Sequence, residues 1–187
     1  MIVGINGSPR KGNSFLLLKA FLDGAKDSGN DTLLIDSCKI DISPCHECGY
    51  CMKNKICRLK DSMNDYLKIL SKCEHIAVAS PVFFFGISAQ LKIFIDRCQP
   101  LWAKKYIFKE DLSKNFHFQR KGFFFSTGGF NKNITFKGGE LVVATFFDAL
   151  SVKFENKILV TSLEEKGEIK TKPDILKQAY NMGKTLK

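Results

Sequence analysis

No apolar run in this chain is long enough to cross a bilayer. The most apolar stretch, Ile76 to Ile95, is interrupted by Pro81, Gln90 and Lys92, and a span needs about 20 apolar residues with few or no charges. The opening Met-Ile-Val-Gly-Ile-Asn-Gly has neither a basic n-region nor a cleavage site, so the expected location is cytoplasmic. Histidine is scarce, with three in 187 residues. A zinc-finger His pair, a helix-turn-helix pattern and an RNP motif are all missing, so specific nucleic-acid binding is not expected. No Ser–His–Asp, Cys–His or paired-carboxylate constellation stands out, which turns attention away from acid–base and nucleophilic catalysis. Internal repeats and low-complexity tracts are also missing.

Acidic residues are outnumbered, 19 against 29 Lys plus Arg, for a formal charge of +10. Such a field favours anionic partners: nucleic acid, an anionic cofactor or an acidic protein. The lysines are spread along the chain, so a solvated basic surface explains them equally well. With 44% hydrophobic and 26% charged residues, the composition is globular and excludes a disordered tail, a collagen-like repeat and a coiled coil. The length predicts one domain over residues 1–187, large enough to fold without disulfide staples.

Short apolar runs alternate with helical periodicity. Strands are predicted at Ile2–Asn6, Thr32–Asp36, His75–Ser80, Gly122–Ser126 and Lys157–Thr161. Helices are predicted at Asn13–Ser28 (Phe15, Leu18, Leu22 and Ala25 inward), from Asp61 as N-cap to Ser71, at Ser88–Cys98, at about 138–150, and from Pro173 onward. Residues 43–59 are expected to be irregular, and 101–121 reads as an excursion from the core. Strand–helix alternation builds an α/β fold with a parallel sheet covered on both faces. Ligands in such folds bind beyond the carboxyl ends of the strands, which here means loops 7–14, 81–86 and 127–129.

The first of these loops reads Gly7-Ser8-Pro9-Arg10-Lys11-Gly12-Asn13-Ser14 and opens a helix. Helix N-termini with free backbone N–H groups attract anions. Ser8, Asn13 and Ser14 can donate hydrogen bonds, and Arg10 and Lys11 add positive charge. Asn13 stands where a P-loop needs its lysine, so an NTPase is rejected, and G-x-G-x-x-G is not present. A terminal monophosphate fits better.

The loop, together with the rest of the chain, resembles the NAD(P)H-dependent FMN reductase group of flavodoxin-like proteins. Gly7-Ser8-Pro9-Arg10 and Asn13-Ser14 look like its phosphate signature. Ser80-Pro81-Val82-Phe83-Phe84, followed by Ser88–Lys92 and Asp96-Arg97, looks like the segment wrapping the flavin ring, and Thr127-Gly128-Gly129 like the third signature. The resemblance runs over about residues 1–160. It implies a three-layer sandwich with a five-stranded parallel sheet in the order 2-1-3-4-5. It also implies FMN held by Ser8, Arg10, Lys11, Asn13, Ser14, Pro81, Val82, Phe83, Phe84, Thr127, Gly128 and Gly129, with NAD(P)H as a donor. The chain departs from the family at Phe83, where a tyrosine is usual, so a phenol donor is lost.

Seven cysteines are many for this kind of chain, and four of them crowd into Cys45-x-x-Cys48-x-x-Cys51-x5-Cys57. The first three cysteines, at two three-residue steps, match ferredoxin-type ligation of a [4Fe–4S] cluster, whereas structural zinc more often uses two separated Cys pairs. Zinc and free or disulfide-linked thiols are the alternatives. The fourth cysteine follows five residues and precedes Arg58 instead of proline. That spacing resembles the iron–sulfur flavoproteins, a branch of the same flavin family. Cys38, Cys73 and Cys98 are expected to be buried packing thiols. Lys53, Lys55, Arg58 and Lys60 would offset cluster charge and steer an acidic electron carrier such as a ferredoxin.

The first functional reading is a flavin-dependent oxidoreductase that passes electrons between a [4Fe–4S] cluster, FMN and a small-molecule acceptor. It is expected to be a homo-oligomer (dimer or tetramer) with cluster and flavin on different subunits. The second is a cluster-free NAD(P)H-dependent FMN or quinone reductase. The third is a non-enzymatic redox or metal sensor.

Overall fold

The computed structural model describes residues 1–186. Five parallel strands, β1 (Ile2–Asn6), β2 (Thr32–Asp36), β3 (His75–Pro81), β4 (Lys121–Thr127) and β5 (Lys153–Val160), form one sheet in the order β2-β1-β3-β4-β5. Alternate residues along a strand face opposite sides, and the sequence uses both sides. Val3, Ile5, Ile76, Val78 and Phe124 face one apolar layer. Ile2, Ala77, Ala79, Phe123 and Phe125 face the other. Strands with apolar residues on both faces must be covered on both faces. Helices α3 (Met63–Lys72), α4 (Ala89–Asp96) and α6 (Lys137–Ala149) cover the first layer, and α1 (Asn13–Asp27) and α7 (Pro173–Lys184) cover the second.

The elements follow the sequence pattern, but β5 begins at Lys153, four residues before the predicted Lys157, and the N-cap of α3 is Ser62 instead of Asp61; three further differences concern helices. Residues expected to be irregular contain a short helix, α2 (Tyr50–Asn54), opened by Gly49 at φ +69 and closed by Lys55 at φ +63. The 101–121 region is not an excursion throughout: α5 (Gln99–Tyr106) occupies its first part and buries Pro100, Leu101 and Ala103. In α1 the inward face is Leu17, Leu18, Phe21, Leu22 and Ala25. Phe15 is only half-buried, under the Lys11 ammonium 5.3 Å away.

Arg120, 1% exposed, has no carboxylate partner among the described residues. Its guanidinium donates to the carbonyls of Leu70, Cys73 and Leu150 at 2.7–3.0 Å. Those carbonyls close the C-terminal ends of α3 and α6, where the helix dipoles favour a cation.

α1 and α7 cross almost backbone to backbone. A Cβ on Gly183 would lie 1.9 Å from the Phe21 carbonyl oxygen, and one on Gly24 would lie 2.0 Å from that of Tyr180. Alanine at Gly183 gains about 0.8–1.0 kcal/mol of helix propensity. The clash is with backbone, which cannot step aside, so the overpacking cost of about 1–3 kcal/mol or more wins. Gly183→Ala is therefore expected to lower the urea midpoint; an unchanged or higher midpoint would contradict the close crossing.

Candidate functional site

The sheet order reverses direction at β1 and β3, and open α/β sheets bind ligands beyond the carboxyl ends of the strands at such a point. There, loops following β1, β3, β4 and β5 enclose a cavity of about 360 Å³, within the usual range of about 300–1,000 Å³ for small-molecule sites. Ser8, Arg10, Asn13 and Ser14 of the first loop line it. So do Pro81, Val82 and Phe83 of the second, and Thr127, Gly128 and Gly129 of the third. The loops are tied together: Val82 N–H donates to Thr127 O at 3.0 Å, and Leu163 N–H to Gly128 O at 3.2 Å. A Cβ on Gly128 would press on Val82 at 3.3 Å, so this crossing needs a small residue.

Two residues expected at the flavin site lie outside the cavity wall. Lys11 turns away, its ammonium 3.7 Å from Asp36. Phe84 is fully exposed at the tip of a tight turn, with φ +47, while Phe83 and Gly86 exchange backbone hydrogen bonds at its base. A turn tip points its side chain outward, which neither the Phe run nor its spacing discloses.

Asn13 and Arg10 line the cavity and spend part of their hydrogen-bonding capacity on a neighbouring loop. Asn13 Nδ2 donates to Glu165 O at 2.9 Å, and its Oδ1 accepts from Ile169 N–H at 3.1 Å. Arg10 Nη2 donates to Glu164 O at 2.8 Å. Both therefore moor the loop after β5, whose Leu163 and Glu164 complete the wall. That loop escaped the sequence reading, although the carboxyl-end rule applies to β5 as it does to the others.

The remaining donors suit an anion. Ser8 Oγ accepts from Gly12 N–H at 3.0 Å and keeps its own proton to donate. The N–H groups of Asn13, Ser14 and Phe15 lie in the first turn of α1, where no intrahelical carbonyl can reach them. Ser14 Oγ is buried, lies in the wall and has no hydrogen-bond partner among the described residues. A buried hydroxyl left unmatched is costly, and a phosphate oxygen in this cavity would satisfy it. The residues fit the phosphate of FMN.

A second cavity, of about 370 Å³, is lined by all four crowded cysteines, Cys45, Cys48, Cys51 and Cys57, together with Arg97. It shares no lining residue with the first. All four are free thiols. Burial above all, and the neighbouring Cys45, Cys57 and Cys48 sulfurs, push the Cys51 thiol up, a crowding that bound cations would relieve. Among the described residues no three His, Cys, Asp or Glu side chains converge on a single ion. A four-iron cluster takes its thiolates on separate irons, so it needs sulfurs set around a cavity, and the donor set fits that chemistry.

The segment carrying these sulfurs has little core of its own, for α2 buries no residue. It is pinned instead by Arg97, just after α4. Arg97 Nη1 donates to Ser43 O at 2.7 Å and to Asp61 Oδ2 at 2.6 Å. Its Nη2 donates to Asp61 Oδ1 at 2.8 Å and to Cys57 Sγ at 3.5 Å. The guanidinium holds the Asp61 carboxyl below the usual range. Of the other cysteines, Cys73 and Cys98 are buried and their thiols are pushed up by burial. Cys38, expected inside, is only half-buried at the end of β2. Arg58, Lys60 and Lys104 line an adjoining cavity, while Lys55 there pairs with Glu110. Among the described residues no helix is long and apolar enough to cross a membrane.

A family described as NADPH-dependent FMN reductase matches residues 1–133. An iron-sulfur flavoprotein of Archaeoglobus fulgidus is 41% identical over 108 residues, covering 58% of this chain and 55% of its own. One of Methanocaldococcus jannaschii is 37% identical over 101 residues, covering 54% and 52%. The matches thus span about half the length of these relatives. Among solved structures, the NAD(P)H:quinone oxidoreductase from Methanothermobacter marburgensis superposes with a TM-score of 0.72 at 16% identity, over 100% of this chain and 96% of its own. A flavodoxin from the domain Archaea gives 0.55 at 15% identity, over 98% and 94%. At such identities the structural likeness shows the fold.

Proposed function

The chain belongs to the NADPH-dependent FMN reductase family, and from that premise we propose an FMN-dependent oxidoreductase that relays electrons between an iron–sulfur cluster and an acceptor. The observation that supports this most is the pair of separate cavities, one carrying an unmatched buried hydroxyl at a helix N-terminus, the other walled by four free thiols.

Bound FMN supplies one- or two-electron exchange, and a cluster exchanges one electron at a time. The chain's own part is to bind and orient. Ser8, Ser14 and the first-turn N–H groups of α1 would hold the phosphate, with Arg10 adding charge from its mooring on Glu164. Pro81, Val82 and Phe83, together with Thr127–Gly129, would line the place of the ring. Cys45, Cys48, Cys51 and Cys57 would hold the cluster, with Arg97 behind them. Arg58, Lys60 and Lys104, grouped beside the cysteines, favour an acidic electron carrier such as a ferredoxin as the one-electron partner. NAD(P)H or a small-molecule acceptor would meet the open face of the flavin. Because the two cavities share no wall, a homo-oligomer in the cytoplasm, with one copy's cysteines near another's flavin, is the arrangement this reading favours.

The test is the absorbance of anaerobically purified protein with iron, sulfide and FMN assays. Flavin bands over a broad iron–sulfur shoulder, with iron and labile sulfide in matching amounts, are expected. Flavin alone with fast NAD(P)H oxidation would replace this reading by a cluster-free reductase, and neither chromophore would leave a sensor.

A further inference from the structure

We propose that Arg97 is a positioning residue for the cysteine cavity, fixing the Cys57 sulfur and setting the reduction potential of the group held there, with Asp61 as its counterweight. The inference rests on the reading of that cavity as an iron–sulfur site.

Arg97 is 1% exposed, and it follows a helix anchored in the core by Leu91 and Phe94. From that fixed point one guanidinium reaches Ser43 before the cysteines, Asp61 after them, and the sulfur of Cys57. Among the described residues no other side-chain cation donates to any of the four sulfurs. Lys53 and Lys60 nearby are exposed, where salt screens charge strongly, while a buried charge is screened much less.

A hydrogen-bonded cation beside a ligand sulfur stabilises the more negative, reduced state and raises the potential. Asp61 works against it. Its carboxylate takes both terminal guanidinium nitrogens, Nη1 and Nη2, in a forked pair, and so offsets part of the positive field at the sulfur. The two residues must then shift the potential in opposite directions when each is neutralised. A merely structural role would not do this, since loosening the segment affects both variants alike.

The experiment is an anaerobic mediated redox titration of the holoprotein, reading the cluster by electron paramagnetic resonance and the flavin by absorbance, with iron counted in each sample. Arg97→Gln is expected to move the cluster to a more negative potential. Asp61→Asn is expected to move it to a more positive one. Each shift should be on the order of tenfold in the reduction equilibrium, about 59 mV for one electron. The flavin potential should stay in place, because Arg97 and Asp61 do not line its cavity. Arg97→Lys, which keeps the charge but not the fork, should fall between wild type and Arg97→Gln. If Arg97→Gln fails to fold or loses iron, Asp61→Asn decides: a positive shift supports the proposal and no shift overturns it. Shifts of the same sign, or iron lost from both variants, would also overturn it. A wild-type protein without iron and sulfide would instead overturn the site assignment, and the inference with it.

Discussion

Serine in place of Cys48 is expected to yield a protein that keeps its flavin and loses its iron. Thiolate is a soft ligand matched to iron–sulfur clusters, and an alcohol is neither soft nor readily ionised. Changes one shell further out already cost about 10–100-fold in metal affinity, so loss of a direct ligand should exceed that. The flavin should be spared because the two cavities share no residue. The fold should be spared too, since Cys48 is exposed and contributes nothing to either apolar layer. Iron and FMN assays on the same sample check this. Full iron occupancy in Cys48→Ser would contradict the ligand assignment, and joint loss of iron and flavin would contradict the independence of the cavities.

Ser14→Ala is expected to weaken FMN binding while leaving riboflavin binding unchanged. The hydroxyl is buried without a partner, and hydrogen bonds to charged groups contribute about 1.5–3 kcal/mol. That is a loss on the order of 10- to 100-fold in affinity. Riboflavin has no phosphate, so it should not sense the change. Arg10→Ala should have a smaller effect, because the guanidinium is exposed and tied to Glu164 O. Fluorescence titration of the flavin-free protein with both compounds measures the difference. Equal weakening of FMN and riboflavin would mean that Ser14 acts on packing instead of on the phosphate.

The strands were legible because their chemistry is redundant. Phe123, Phe124 and Phe125 are apolar on both faces, and only a strand covered on both sides buries them all. The cysteine run was legible because thiols at such steps have few other uses. What sequence alone did not show was occupancy of the donors. Asn13 has the chemistry of a phosphate donor, yet one of its amide N–H groups goes to Glu165 O and its oxygen accepts from Ile169 N–H, more than 150 positions away. Arg97 reads in the sequence only as part of a family signature, and its contact with a cysteine sulfur comes from the fold. Such pairings are set by topology, and no local pattern encodes them. The helix in α2 was hidden for another reason: it buries nothing, so it has no apolar periodicity to read.

A crystal structure of the protein grown with saturating FMN decides where the cofactor sits. Phosphate density is expected within hydrogen-bond reach of Ser14 Oγ and the first N–H groups of α1, with the ring against Pro81–Phe83 and Thr127–Gly129. An empty cavity under those conditions, or FMN seated elsewhere on the chain, would contradict it.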